Sequence, residues 1–261
     1  MTEEARESTT SGNEEQQPAR GMAALVAHIS THRVDFALWC TRFMTIIFTL
    51  SFFIPLFGSP SSAYSKVLLS NAATSALRLH QRLPRVQLTR DFFTALLLED
   101  SAHYLMYSLL FLSAAPFTVA LIPPFLFALL HICSTSLQLA DLIGPVALSG
   151  LRVFIALIEM QSANILKTIA FTEIFLMPSV VVMIFGGRAS LLTVFMYYRF
   201  LTLRYASRRN PYSRNTFSEL RLLVESLAAR PVVPRPIADT AHKVIALVCR
   251  LAPPVAPPAA Q

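Results

Sequence analysis

The sequence predicts an all-α, polytopic integral membrane protein with three to five membrane-embedded helices or hairpins and cytosolic amphipathic helices after them. Three observations predict this class. Residues 101–140 run without one Asp, Glu, Lys or Arg in a chain of 261 residues. A helix of a water-soluble domain needs a polar face, so a charge-free stretch this long requires lipid tails or other membrane helices around it. Composition agrees, since 54% of residues are hydrophobic and only 14% charged, where soluble domains carry roughly 25% charge. Further apolar windows recur at residues 43–65, at 168–187 with Glu173 as the single charge, and at 189–198 running into Arg199.

Three regions follow from end to end. Residues 1–32 read as a disordered acidic N-terminal tail, because Glu3, Glu4, Glu7, Glu14 and Glu15 stand among Ser, Thr, Gln and Gly without apolar periodicity through residue 21. No basic n-region with a cleavage site marks a removable signal peptide, so the first membrane segment is expected to act as the targeting signal. Residues 33–205 read as a helical membrane domain. The apolar block 43–57 is shorter than the ~20 helical residues that a bilayer core demands. It crosses if Trp39 and Cys40 join it and Arg42 snorkels back to the headgroups. The 101–140 window has the opposite problem, being too long for one helix. It contains Pro116, Pro123 and Pro124, so helices over 101–113 and 125–139 with a kinked or looped middle are expected. Cys40, Cys133 and Cys249 are odd in number and far apart, which argues against a disulfide framework.

Charge sets the expected orientation. From Arg199 onward there are ten Lys or Arg and three acids, so the tail holds the whole formal charge of +7. Basic flanks of membrane helices face the cytosol, where anionic lipids attract them. Lys66, Arg78, Arg82, Arg85 and Arg90 place residues 66–90 on the same side by the same rule. An even number of crossings must then separate that segment from the tail.

Residues 206–261 read as a basic cytosolic tail with two amphipathic helices and a Pro-rich end. At its entry Tyr197, Tyr198, Arg199, Arg204, Arg208 and Arg209 interleave aromatic and guanidinium groups. That pattern suits a headgroup layer, where rings stay half-buried and guanidinium meets phosphate, and it is preferred here to a protein or nucleic-acid surface. Thr216-x-x-Glu219 has the form of a capping box before Phe217, Leu220, Leu223, Val224, Leu227 and Ala228. After Pro231, Pro234 and Pro236, the positions Ile237, Ala241, Val244, Ile245, Val248 and Leu251 recur near period 3.6, with His242, Lys243 and Arg250 opposite. Lys243, Val244, Ile245, Val248 and Arg250 are therefore candidate contacts with anionic lipid at the cytosolic face, with a helix docked on the membrane domain as the other reading.

Catalytic patterns are missing from the chain. His80, His103 and His131 are too far apart to form a metal motif, Cys133 lacks a partner at zinc-site spacing, and no Gly-rich phosphate loop occurs. No catalytic residue, metal or cofactor is expected. Glu173 is the residue that would suit an ion or proton path, which makes a small transporter or channel the alternative function. With no second acid in the spans, it reads instead as a structural carboxyl, neutral or hydrogen-bonded to a neighbouring helix.

Longer strings carry a resemblance. NAATSALRLHQRLPRVQLTRDFFTALLLEDSAHYLMYSLLFL at residues 71–112, NILK at 164–167, EIFLMP at 173–178 and YYRFLTLRYASRRNPYSR at 197–214 resemble the transmembrane protein 33 family, also called Krüppel homolog 2. Its fungal relatives are pore-membrane proteins of the nuclear envelope, and the resemblance extends from about Val34 to Arg230. It implies residence in the endoplasmic reticulum membrane and nuclear envelope and a non-enzymatic role in tubular network organisation, pore biogenesis and the organelle's stress response. It also implies partners among reticulon-type membrane-shaping proteins and nuclear-pore proteins. The fungal branch's membrane-binding C-terminal helix would correspond to residues 237–251. The expected mechanism is insertion of short helices into the cytosolic leaflet, which adds area to one leaflet more than to the other.

Overall fold

A computed structural model describes residues 21–54, 58–83, 89–143, 149–207 and 209–253. All regular structure among them is helical: α1 (Met22–Thr31), α2 (Arg33–Phe53), α3 (Pro60–Arg82), α4 (Arg90–Leu98), α5 (Asp100–Ser113), a 3₁₀ turn (Thr118–Leu121), α6 (Ile122–Ile143), α7 (Ser149–Met160), α8 (Ser162–Phe185), α9 (Leu191–Ala206), α10 (Tyr212–Ala228) and α11 (Arg235–Leu251). Three helical stretches are long and apolar enough to cross a bilayer, namely Arg33–Phe53, Thr118–Ile143 and Ser162–Phe185. Their outer faces stay uncovered by protein, as at Phe43, Ile47 and Leu50 on α2 and Phe171, Phe175 and Val182 on α8. Lipid is the medium that such faces require.

The proline-containing window divides differently from expectation. Pro123 and Pro124 open α6 instead of preceding it, and the helix runs on to Ile143. Donors in a helix's first turn have no intrahelical partner, so proline loses nothing there and its fixed φ suits the turn. Only Pro116 lies in the bend between α5 and the 3₁₀ turn. Part of the expected N-terminal tail is also helix, since α1 occupies Met22–Thr31 and Gly21 N–H donates to Leu142 O at the end of α6. Residues 1–20, Arg85 and the Pro-rich end at 254–261 lie outside the described residues.

Hydropathy alone overlooks α3. This helix of 23 residues is ~35 Å long at the standard helical rise, and it lies antiparallel against α2 in a hairpin. Its register shows in a series of facing pairs: Tyr64 with Phe52, Lys66 with Phe48, Ser70 with Thr45, Thr74 with Thr41 and Gln81 with Asp35. On its other side Asn71 Nδ2 donates to Ser108 Oγ of α5 at 2.7 Å. Ser70, Asn71 and Thr74 on α3 thus face protein, which satisfies their hydrogen bonds away from lipid. Lys66 and Arg82 consequently stand at opposite ends of one helix. The expected placement of residues 66–90 on one side is therefore corrected, because the α2–α3 hairpin carries its first part to the far end.

Arg42 also departs from expectation. Its side chain does not snorkel outward but turns into the bundle, where the residue is 6% exposed.

Helix α5 runs antiparallel to both α3 and α9. Tyr64, Leu68, Tyr107, Phe111, Tyr197 and Phe200 form the apolar core where these three meet, with Leu176 and Val180 contributed by α8. Between α8 and α9 the chain reverses in a tight turn. Gly187 takes φ +65°, so Arg188 N–H reaches Met183 O and Gly187 N–H reaches Ile184 O, closing the end of α8. Arg188 then ties this turn to the α5 exit through Ala115 N–H to its own carbonyl and its Nη2 to Pro116 O at 2.8 Å.

One end of the bundle gathers nearly all the charge. There Arg82 and Arg209 meet Glu99, Arg204 meets Asp100, Arg152 meets Asp141, and Lys167 meets Glu219. Helices α1, α4 and α7 sit where the long helices begin or end at this charged end. Each leaves apolar side chains uncovered, such as Val26, Phe93, Leu97, Phe154 and Leu157.

Candidate functional site

Helical spacing splits the Tyr/Arg strip of α9 into two faces. Thr193, Tyr197, Phe200 and Arg204 recur every three or four residues and are all buried, whereas Arg199 is exposed and Tyr198 half-buried. The expectation that Tyr197 and Arg204 contact the membrane interface is therefore corrected. Tyr197 is packed among Tyr107, Phe111 and Phe200, and its hydroxyl donates to Glu173 O at 2.7 Å. Arg204 is drawn inward by a carboxylate on the facing helix.

That carboxylate is Glu173, 0% exposed. Arg204 Nε donates to Glu173 Oε1 at 3.1 Å and to Oε2 at 3.2 Å. Tyr104 OH donates to Oε1, and Ser213 Oγ approaches Oε2 at 3.5 Å. Arg204 Nη1 lies 3.4 Å from Asp100 Oδ1, which also accepts from Ser207 Oγ at 2.9 Å. The guanidinium carbon sits 5.3 Å from the centre of the Tyr104 ring and 5.9 Å from that of Phe127. Helices α5, α6, α8, α9 and α10 thus converge on one ion pair. The carboxylate of Glu173 is thus enclosed by protein. Its charge is held by a cation and hydroxyl donors, which is the arrangement a buried acid needs to persist. The pairing with a neighbouring helix follows the structural reading of Glu173, and Arg204 is the partner that sequence reasoning missed. The spacing signal was present: Tyr197, Phe200 and Arg204 form an i, i+3, i+7 stripe.

Arg209 donates to Glu99 Oε2 at 2.7 Å beside Arg82 at 2.8 Å, so it ties the tail to the α4–α5 corner. Arg208 lies outside the described residues. Helix α10 starts at Tyr212, earlier than the capping-box reading required. Thr216 is therefore inside the helix and buried against the bundle, not at its N-terminus. The helix lies along α8 through Lys167 and Glu219, 3.0 Å apart.

Helix α11 has no buried residue. Lys243, Val244, Val248 and Arg250 are exposed and Ile245 is half-buried. Its anchor points are at the C-terminal end, where Tyr198 OH donates to Leu251 O at 2.9 Å and Arg221 lies near Cys249. The apolar stripe of Ile237, Val244, Val248 and Leu251 is left uncovered. Among the described residues, no three His, Cys, Asp or Glu side chains converge as a metal site would require.

A helical bundle with lipid-facing apolar spans, a buried ion pair and amphipathic helices at one charged end defines a polytopic α-helical membrane protein. The chain belongs to the family described as Transmembrane protein 33/Nucleoporin POM33, whose profile matches residues 17–254. It is 50% identical to Krueppel homolog 2 of Drosophila melanogaster over 92% of this chain and 86% of that protein. It is 48% identical to Transmembrane protein 33 of Mus musculus over 90% of this chain and 96% of the relative. Identity to Transmembrane protein 33 of Homo sapiens is 46%, over 89% and 95% of the two chains. No solved structure matches the chain.

Proposed function

We propose that this protein is a non-enzymatic component of the endoplasmic reticulum membrane and nuclear envelope that helps organise tubular membrane and pore membrane. It does so by embedding short helices in the cytosolic leaflet and by binding reticulon-type membrane-shaping proteins and nuclear-pore proteins. The family description, which names a nucleoporin, supports the nuclear-envelope part of this reading. The structural observation that carries the mechanism is asymmetry. Helices α1, α4 and α7 join the bundle at its charged end, the same end from which α10 and α11 extend, and of these five only α7 buries an apolar residue, Ile155.

With the basic residues facing cytosolic headgroups, apolar side chains such as Phe93, Phe154, Val244 and Val248 enter the acyl boundary on that side only. Area is then added to one leaflet, and the bilayer bends toward the other. Full-length protein reconstituted into vesicles tests this. Increased curvature or tubulation is expected, reduced when Val244→Asp and Val248→Asp are combined. Vesicles whose shape is indifferent to the protein, together with an unaltered tubular network on its depletion, would overturn the reading.

A further inference from the structure

We propose that the cavity at the charged end of the bundle is a binding site for a phosphate group, carried by a lipid headgroup or free in solution. The cavity has a volume of about 320 Å³ and lies between α2, α3, α5, α6 and α9. Arg42, Arg78, Arg82, Arg204 and Arg209 line it, and Asp100 is the only acid among its described lining residues. Such a concentration of guanidinium groups around a polar recess matches the forked donor geometry that phosphate oxygens accept.

Among the described residues, charge compensation is incomplete. Glu99 accepts from Arg82 and Arg209, while Glu173 and Asp100 hold Arg204. Arg42 and Arg78 have no hydrogen bond or ion pair to any described residue. Asp35 acts on both at longer range, but its carboxylate accepts from Gln81 at 2.8 Å and faces His32. Arg42 is nevertheless 6% exposed. In addition, Arg204, 1% exposed, has its Nη2 buried without a hydrogen-bond partner. Buried cations in a helical bundle are strongly unfavourable unless an anion meets them.

Two unmatched arginines correspond in charge to a phosphomonoester, which carries roughly two negative charges at neutral pH. Arg42 and Arg78 would meet two of its oxygens, and the free Nη2 of Arg204 would supply a further donor. The mouth of the cavity, at Arg82 and Arg209, opens at the charged end, within reach of lipid headgroups or dissolved anions. This site is independent of the membrane-shaping role, since none of its residues belongs to the exposed amphipathic faces.

The test uses full-length protein in a neutral detergent, titrated with dioctanoyl phosphatidic acid, inorganic phosphate and dioctanoyl phosphatidylcholine. Saturable binding of a phosphomonoester is expected, weakened about tenfold or more by Arg42→Gln and by Arg78→Gln, as loss of a charged hydrogen bond dictates. Lys66→Gln, which does not line the cavity and stands at the other end of α3 from Arg82, should leave affinity unchanged. Phosphatidic acid binding with phosphate a poor competitor assigns a lipid source; equal affinity for inorganic phosphate assigns a soluble one. Thermal unfolding without ligand reports whether each variant folds, and the half-buried Arg78→Gln decides if Arg42→Gln does not. No saturable binding, equal binding of phosphatidylcholine, or full affinity in a folded variant would each overturn the proposal.

Discussion

Arg204 of α9 and Glu173 of α8 form an ion pair at 3.1 Å in which the two side chains are 1% and 0% exposed. Removing one member of a buried pair strands the other charge, whereas replacing both by apolar groups of similar size spares that penalty. Glu173→Gln is therefore expected to destabilise the protein by about 3–5 kcal/mol, read from unfolding in detergent. The combination Glu173→Leu with Arg204→Met should recover much of that loss. Single and double variants equal in stability to the parent would remove the pair's structural role. Vesicle flux that depends on Glu173 would favour a transporter instead.

The two tyrosines bonded to Glu173 should differ. Tyr104 OH donates to the charged carboxylate, and Tyr197 OH donates to the neutral backbone carbonyl of the same residue. Tyr104→Phe is expected to cost roughly 1.5–3 kcal/mol and Tyr197→Phe about 1 kcal/mol, following the strengths of charged and neutral hydrogen bonds. Chemical denaturation of the purified variants measures both, and the reverse ranking would contradict the geometry.

The α2–α3 hairpin makes a covalent prediction. Thr45 Oγ1 and Ser70 Oγ are 2.9 Å apart, so Thr45→Cys with Ser70→Cys should cross-link under mild oxidation in a chain whose Cys40, Cys133 and Cys249 are replaced. Single cysteines at Ser61 and His80, both exposed and near opposite ends of α3, should label from opposite sides of the membrane. Labelling from one side at both positions would return α3 to a single aqueous face.

Helix α11 should bind anionic membranes in a salt-dependent way. Lys243 and Arg250 are exposed beside the uncovered stripe of Val244 and Val248, and each basic residue near an anionic surface adds about 1 kcal/mol. A peptide of residues 236–252 is expected to gain helicity on anionic vesicles. Lys243→Gln and Arg250→Gln together should weaken its partition roughly 30-fold at low salt. A circular-dichroism spectrum unmoved by vesicles would show that the stripe does not partition.

Helix positions around the candidate site were legible in the sequence, but not which of its side chains turn inward. The period of Ile237, Val244, Val248 and Leu251 announced an amphipathic helix, and α11 leaves that stripe open. Along α9 the same kind of reading failed, because alternation of Tyr and Arg looks like an interfacial anchor until the facing helix is known. Tyr197 is buried because α5 packs Tyr107 and Phe111 against it, and Arg204 because α8 presents Glu173 to it. Thr216 looked like an N-cap, yet residues from Tyr212 onward are already helical, and packing against α8 outweighed the local capping signal.

Taken alone, the order of residues determined the solvent. Forty charge-free positions and a sparing use of charge leave lipid as the medium around the spans, because transfer free energies are properties of side chains and add along a helix. Tertiary structure decided which polar residues turn inward. The pairing of Glu173 with Arg204, the burial of a polar α3 between α2 and α5, and the five arginines around one cavity all depend on partners distant in sequence. A polar group's cost in a membrane is set by what it meets, and only packing of the helices brings those partners into contact.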